Sequence, residues 1–186
     1  MTDMKLIIGL GNPETRYTDT RHNVGFRMLG NYAAEKGATF QPRDKFKSQL
    51  AEISGNGEKV ILALPMTYYN NSGEAVRAIG DFYKILPEDI VIIHDELALP
   101  FGTVRTRIGG SDAGNNGIKS VSAHVGDTTA RIRIGIKNEH HDDDIDFVLG
   151  KFNSDESKKL AEIQTHVNAD IDAFITGNFE ATTHQH

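Results

Sequence analysis

His22 lies between Arg21 and Asn23, and Asp95 closes the β-branched run Ile90–His94. A histidine held by a buried carboxylate has its tautomer fixed and its basicity raised, which suits a general base near neutral pH. The chain has no cysteine, and none of its serines sits in a Gly-x-Ser-x-Gly elbow. Water is then the expected attacker in any hydrolysis. Asn12, Asn70 and Asn116 both donate and accept hydrogen bonds, which fits recognition of an ester or peptide backbone and support of a developing oxyanion. Asparagine beside glycine or proline is also ordinary turn chemistry, and each of the three taken singly reads that way.

These residues belong to three polar clusters. The first is Gly9-Leu10-Gly11-Asn12-Pro13, followed by Tyr17 and by Thr20-Arg21-His22-Asn23. The second is Pro65-Met66-Thr67-Tyr68-Tyr69-Asn70-Asn71-Ser72-Gly73. The third joins His94-Asp95-Glu96 to the segment Gly109–Gly117. Clusters one and two and the His-Asp pair each follow an apolar strand-like run. Ligands bind at the carboxyl ends of strands in open α/β sheets, so the motifs are expected to share one rim. Gly9-Leu10-Gly11 does not make a dinucleotide site: the third glycine of that fingerprint falls on Glu14, and no acidic residue ends a second strand about twenty residues on. His140-His141-Asp142-Asp143-Asp144 reads as a solvated acidic loop, because it lacks the spacing, glycine and closing glutamate of a calcium loop.

Strand-like and helical runs alternate along the chain. Met4–Leu10 and Ile90–His94 are apolar and β-branched, as are Thr103–Ile108 and Arg131–Ile136. Gln49–Ser54 and Lys59–Leu64 flank Gly55-Asn56-Gly57, a hairpin signal. Val24, Met28, Leu29 and Tyr32 share one face of a helix that Gly37 ends. Asn71 with Glu74 three residues on resembles a capping box for a helix to about Ile85. Asn153 or Ser154 is the expected cap of a long helix carrying Leu160, Ile163, Val167, Ile171 and Phe174, with Gly177 as its stop. The pattern predicts one α/β domain over residues 1–186, a twisted mixed β-sheet flanked by helices, with a loose tail after about residue 179.

With 186 residues the chain can bury a core without disulfides or structural metal. No apolar stretch approaches the ~20 residues that span a bilayer, and the start lacks a signal-peptide pattern, so a cytoplasmic protein with no membrane partner is expected. The net charge is −6, yet residues 101–137 carry six basic and two acidic side chains while residues 138–186 carry three and eleven. A basic middle segment in an acidic chain suits contact with a polyanion over few phosphates, as well as an ordinary solvated surface.

Read together, Gly9-Leu10-Gly11-Asn12-Pro13, Tyr17 and Thr20–Phe26 closely resemble the bacterial peptidyl-tRNA hydrolase family. So do Pro65 with Asn70-Asn71-Ser72-Gly73, His94-Asp95-Glu96-Leu97 with Pro100-Phe101-Gly102, Gly114 with Asn116–Ser120, Arg131–Ile136 and Phe147–Phe152. The resemblance runs in order from Lys5 to about Gly177. It implies a monomeric, cofactor-free and metal-free hydrolase of N-blocked aminoacyl-tRNA, serving translation by ribosome rescue. It also implies His22 as catalytic base, Asp95 as the carboxylate orienting it, and Asn12 as the residue sensing the blocked amino group. Asn70 and Asn116 would bind the peptide and the 3′-adenosine at the acceptor end, with Tyr17 and Tyr68 lining that groove. Arg105 and Arg107 stand where the family keeps basic residues near the tRNA 5′ phosphate, and Arg133 is a further candidate. Two positions depart from the pattern: Asn115 stands where the family usually has histidine, and Ala98 where it usually has aspartate. A non-catalytic RNA-binding relative is the competing reading, and offering N-acetyl-aminoacyl-tRNA beside free aminoacyl-tRNA separates the two. A nucleotide-dependent oxidoreductase is a third, answerable by a cofactor titration.

Overall fold

The computed structural model describes residues 4–139 and 144–185. The first strand, β1 (Lys5–Gly9), leads through a polar loop and the turn Arg21–Asn23 into α1 (Val24–Glu35). Next come β2 (Gln41–Arg43), β3 (Ser48–Gly55) and β4 (Glu58–Pro65), then a turn at Tyr69–Asn71 and α2 (Ser72–Tyr83). The chain continues with β5 (Ile90–Pro100), β6 (Thr103–Ile108), α3 (Asn116–Val125), β7 (Ala130–Lys137), α4 (Asp144–Val148), α5 (Ser154–Thr176) and β8 (Thr183–Gln185). The strands form one mixed sheet in the order β2-β3-β4-β1-β5-β7-β6-β8. The four central strands β4, β1, β5 and β7 are parallel, and the flanking pairs are antiparallel.

Central parallel strands are covered on both faces and therefore read as continuous apolar runs. Side chains alternate across the sheet, so Ile7, Val91, Ile93, Ile132 and Ile134 pack under α1 and α5. Leu6, Ile8, Ile90 and Ile92 pack under α2 and α3. β1 lies between β4 and β5, and the helices that follow β1 and β4 lie on opposite faces. The carboxyl end of β1 is thus the topological switch point, where such folds open a crevice.

Local signals are met with three differences. The β3–β4 hairpin closes through Asn56 (φ 53°) and Gly57 (φ 77°), both left-handed, as a type I′ turn requires. At α5 the side chain of Asn153 accepts from Glu156 N–H, and Glu156 accepts from Asn153 N–H, a complete capping box. The box expected at Asn71 and Glu74 is not formed. Asn71 belongs to the preceding turn rather than to extended backbone, and Glu74 instead pairs with Lys47 at 3.0 Å. β5 continues past His94 to Pro100, because β7 extends alongside it. Residues 179–185 are not loose: β8 pairs with β6, where Thr106 Oγ1 accepts from Thr182 N–H and Phe179 packs edge-on against Phe174. An edge strand presents unpaired backbone groups, and a Thr-rich tail suits them. His140, His141, Asp142 and Asp143 lie outside the described residues.

Helix α1 crosses the ends of β1 and β5 at Gly25, where a Cβ would be driven into the Ile93 carbonyl oxygen and would lie 2.8 Å from Leu10 N and O. Gly25→Ala is expected to force helix and sheet apart and destabilise the fold by about 1–3 kcal/mol. That corresponds to a fall in Tm of roughly 2–12 °C for a chain of this size, measurable by thermal unfolding; an unchanged Tm would show that the crossing relaxes freely.

Candidate active site

Asp95 sits near the end of the central strand β5 and is 2% exposed. Its Oδ2 accepts from His22 Nδ1 at 2.8 Å, and its Oδ1 accepts from the Tyr69 hydroxyl at 2.5 Å. The Tyr69 ring also stacks on the His22 imidazole, with centroids 3.6 Å apart and planes 19° apart. Because Nδ1–H is committed to Asp95, neutral His22 carries its free lone pair on Nε2.

Each partner is anchored by its own segment. The turn holding His22 is fixed by Arg21, whose Nη2 meets Glu156 Oε1 at 2.8 Å and whose guanidinium lies over the Phe147 ring. Glu156 is the reciprocal partner of Asn153 in the capping box of α5, so the first turn of that helix holds the His22 turn. Asn23 grips the loop after β1 reciprocally: its Oδ1 accepts from Asn12 N–H and its Nδ2 donates to Asn12 O, both at 2.9 Å. Asn12 Oδ1 in turn accepts from Tyr69 N–H at 2.9 Å, which leaves the Asn12 amide nitrogen as its remaining donor. Asn115 caps α3 through its Oδ1, bonded to Ile118 N–H, while its Nδ2 donates to the Tyr69 hydroxyl at 2.8 Å. Gly117 allows the approach, since a Cβ there would lie 2.5 Å from the Tyr69 ring.

His22, Asp95, Tyr69, Asn12 and Asn115 face a cleft of about 540 Å³. The expected residues Asn12, His22, Tyr68, Asn70, Asp95 and Asn116 all reach it. Tyr69, Glu96 and Asn115 join them, and Leu97, Ile145, Val148 and Leu149 supply an apolar wall. Tyr17 does not line it; the half-buried ring lies under the Arg16 guanidinium instead. Tyr69 is the site residue that sequence reasoning misses. Two adjacent tyrosines cannot both face the core, and nothing in the Tyr68-Tyr69 pair says which turns inward. Tyr68 is the exposed one, bonded to Glu14 at 3.1 Å, and that bond raises its pKa.

Arg105, Arg107 and Arg133 lie outside the cleft. Arg105 pairs across the sheet with Arg133, and Arg107 with Arg131, so all four share the sheet face that carries His94 and Glu96. Arg105 donates to Thr183 Oγ1 at 3.1 Å, and the Arg107 guanidinium packs against Gly110. Glu96, whose carboxyl pKa is raised by burial, lies 3.9 Å from Arg133 and also lines the cleft. The basic face is therefore continuous with the cleft.

Residues 6–186 match the family model for peptidyl-tRNA hydrolase. The chain belongs to this family. It is 42% identical to the peptidyl-tRNA hydrolase of Ligilactobacillus salivarius, over 92% of this chain and 93% of that one. It is 40% identical to that of Lactiplantibacillus plantarum over 98% of this chain and 100% of that one. The crystal structure of peptidyl-tRNA hydrolase from Acinetobacter baumannii superposes with a TM-score of 0.88 at 36% identity, covering 95% of this chain and 91% of that one.

His94 points to the face opposite Asp95, as strand alternation requires, and it is buried there with Nδ1 bonded to the Asp95 carbonyl at 2.7 Å. Burial lowers its pKa from 6.5 to about 4. A histidine held neutral in the fold stabilises it fully above the unfolded value of 6.5, and that contribution is lost as pH falls from 6.5 towards 4. The loss amounts to about 3 kcal/mol over that window. Denaturant unfolding at a series of pH values is expected to show this slope in the parent and a shallower one in His94→Asn; equal slopes would remove His94 as the cause.

Proposed function

We propose that this cleft hydrolyses the ester of peptidyl-tRNA with His22 as general base, releasing peptide and free tRNA. The observation that carries the reading is the His22–Asp95 pair, whose free imidazole nitrogen belongs to a cleft that, among the described residues, neither serine nor cysteine lines. With no side-chain nucleophile, water is the attacker. His22 Nε2 takes a proton from water as its oxygen bonds to the ester carbonyl carbon. The tetrahedral intermediate then collapses, breaking the bond to the 3′-oxygen, and the imidazolium returns the proton to that leaving oxygen. Asp95 fixes the tautomer that leaves Nε2 available and stabilises the imidazolium between the two steps.

Asn12 offers its amide nitrogen to the carbonyl region of an N-blocked residue, and Asn70 and Asn116 bind the peptide and the 3′-adenosine. Tyr68 is the exposed ring lining the cleft on which a base or peptide would lie. The 5′ phosphate of the acceptor end meets Arg105, Arg107 and Arg133 on the adjoining sheet face. Few phosphate contacts reconcile tRNA binding with a net acidic chain. The protein acts as a cytoplasmic monomer with no cofactor and no metal in the reaction. Among the described residues no helix is long and apolar enough to cross a membrane.

His22→Ala is expected to lower hydrolysis of N-acetyl-aminoacyl-tRNA by ~10²–10⁴-fold while tRNA binding persists. Near-normal turnover in that variant would remove His22 as the base. The double substitution Arg105→Ala with Arg107→Ala is expected to weaken tRNA binding and to flatten its log–log salt dependence by roughly 0.7–0.9 for each phosphate no longer neutralised. Turnover of a short 3′-adenosine ester fragment should hardly move in that variant. Equal losses on fragment and whole tRNA would place these arginines at the reaction centre instead.

A further inference from the structure

Tyr69 is 2% exposed, yet it spends both its ring and its hydroxyl on the reacting pair. Its phenolic hydrogen has two possible acceptors, and Asn115 decides between them. The Asn115 Oδ1 is taken by Ile118 N–H at the start of α3, so the amide must turn Nδ2 towards the Tyr69 hydroxyl and the Asp95 carbonyl, at 2.8 and 3.1 Å. A donor facing the phenol oxygen leaves the phenol hydrogen for Asp95 Oδ1. The hydrogen bonds therefore run one way, from the Asn115 amide to the Tyr69 hydroxyl to Asp95, whose other oxygen receives His22 Nδ1–H.

We propose that Tyr69, with its hydroxyl oriented by Asn115, is a positioning residue for ester hydrolysis, holding Asp95 and the plane of the His22 ring in one arrangement. The proposal rests on His22 acting as the base. A carboxylate with one partner can offer either oxygen by turning about its terminal torsion, and the imidazole would follow it. With both oxygens engaged and the imidazole stacked, that turn breaks two hydrogen bonds and a ring contact. The donated bond also draws charge from Asp95, so less of it is left to favour the imidazolium. Burial, followed by the charge on Asp95, raises the Tyr69 pKa well above its ordinary value, so the hydroxyl acts as a donor and not as a proton carrier. The other ionisable groups nearby are Glu96, which follows Asp95 on β5 and lines the cleft, Asp144 of α4, which also lines it, and buried His94, whose Nδ1 shares the Asp95 carbonyl with Asn115 and lies 3.5 Å from the Asn115 amide nitrogen. Asn115 stands where the resembled family usually keeps histidine, and one amide here serves both as helix cap and as donor.

The test compares kcat, KM and pH profiles on N-acetyl-aminoacyl-tRNA for the full chain, Tyr69→Phe, Asn115→Ser and the double variant, each checked by thermal unfolding. Tyr69→Phe keeps the ring and deletes only the hydroxyl. It is expected to lower kcat roughly tenfold or more with KM nearly unchanged, the scale of one hydrogen bond to a charged group. The acid limb of kcat/KM should move to higher pH, since the imidazolium is then more favoured. Serine still caps a helix but is too short to reach the phenol, so Asn115→Ser should give a smaller loss with the limb moved the same way. The double variant should lose clearly less than the sum of the two single losses, because both substitutions act on the Tyr69–Asp95 bond. A folded Tyr69→Phe with unmoved kcat and limb overturns the proposal, as do additive losses in the double variant. Should Tyr69→Phe fail to fold, Asn115→Ser decides by the same limb. An active His22→Ala would overturn the preceding reading, whereas an inactive His22→Ala beside a normal Tyr69→Phe overturns this one alone.

Discussion

A carboxylate buried to the extent of Asp95 is costly unless its oxygens are taken by donors, and the rest of the site follows from that need. The partners come from segments distant in sequence, His22 before α1 and Tyr69 before α2. Asn115, at the start of α3, reaches the same centre through the Tyr69 hydroxyl and the Asp95 carbonyl. Each of those segments is the entrance to a helix packed on the sheet. Satisfying one buried charge thus ties α1, α2 and α3 to the end of the strand that carries it. The loop after β1 is drawn in as well, through the double grip of Asn23 on Asn12 and the Tyr69 N–H bond to the Asn12 side chain.

The cleft divides into a rigid floor and a less constrained wall. The floor consists of buried groups with paired hydrogen bonds, the arrangement that holds a base to one orientation. The wall has exposed Tyr68 and the apolar side chains Ile145, Val148 and Leu149 of the short α4 segment and its exit. Apolar contact without directional bonds suits a peptide whose side chains vary, while the reacting ester always presents the same atoms. The arginine face lies beyond Glu96, so its basic side chains are kept apart from the His22–Asp95 pair.

Much of this is legible in the sequence because the informative residues act locally. The β3–β4 hairpin, the Asn153 cap and the Gly177 stop are set by neighbours within a few positions, and they form as read. His22, Asp95, Asn12, Asn70 and Asn116 can be gathered on one rim because each follows a strand or opens a helix. Tyr69 cannot, since its role depends on a stacking partner 47 positions earlier and an acceptor 26 positions later. The Asn71 cap fails for a related reason: the turn that places Tyr69 takes Asn71 out of the extended geometry a cap needs. The order of the tail is hidden in the same way, because it comes from an edge strand some 80 residues away.

The sheet ends on both sides in strands of only three residues, β2 and β8, and β2 carries Pro42 at its middle. Unpaired strand edges are the usual templates for chain-to-chain zipping, and short or proline-bearing edges are poor ones. The long apolar strands at the centre of the sheet would otherwise be an aggregation hazard. Residues 182–185, which do not line the cleft, therefore protect solubility: trimming them would expose the full length of β6 and leave a sticky margin on an otherwise intact catalyst.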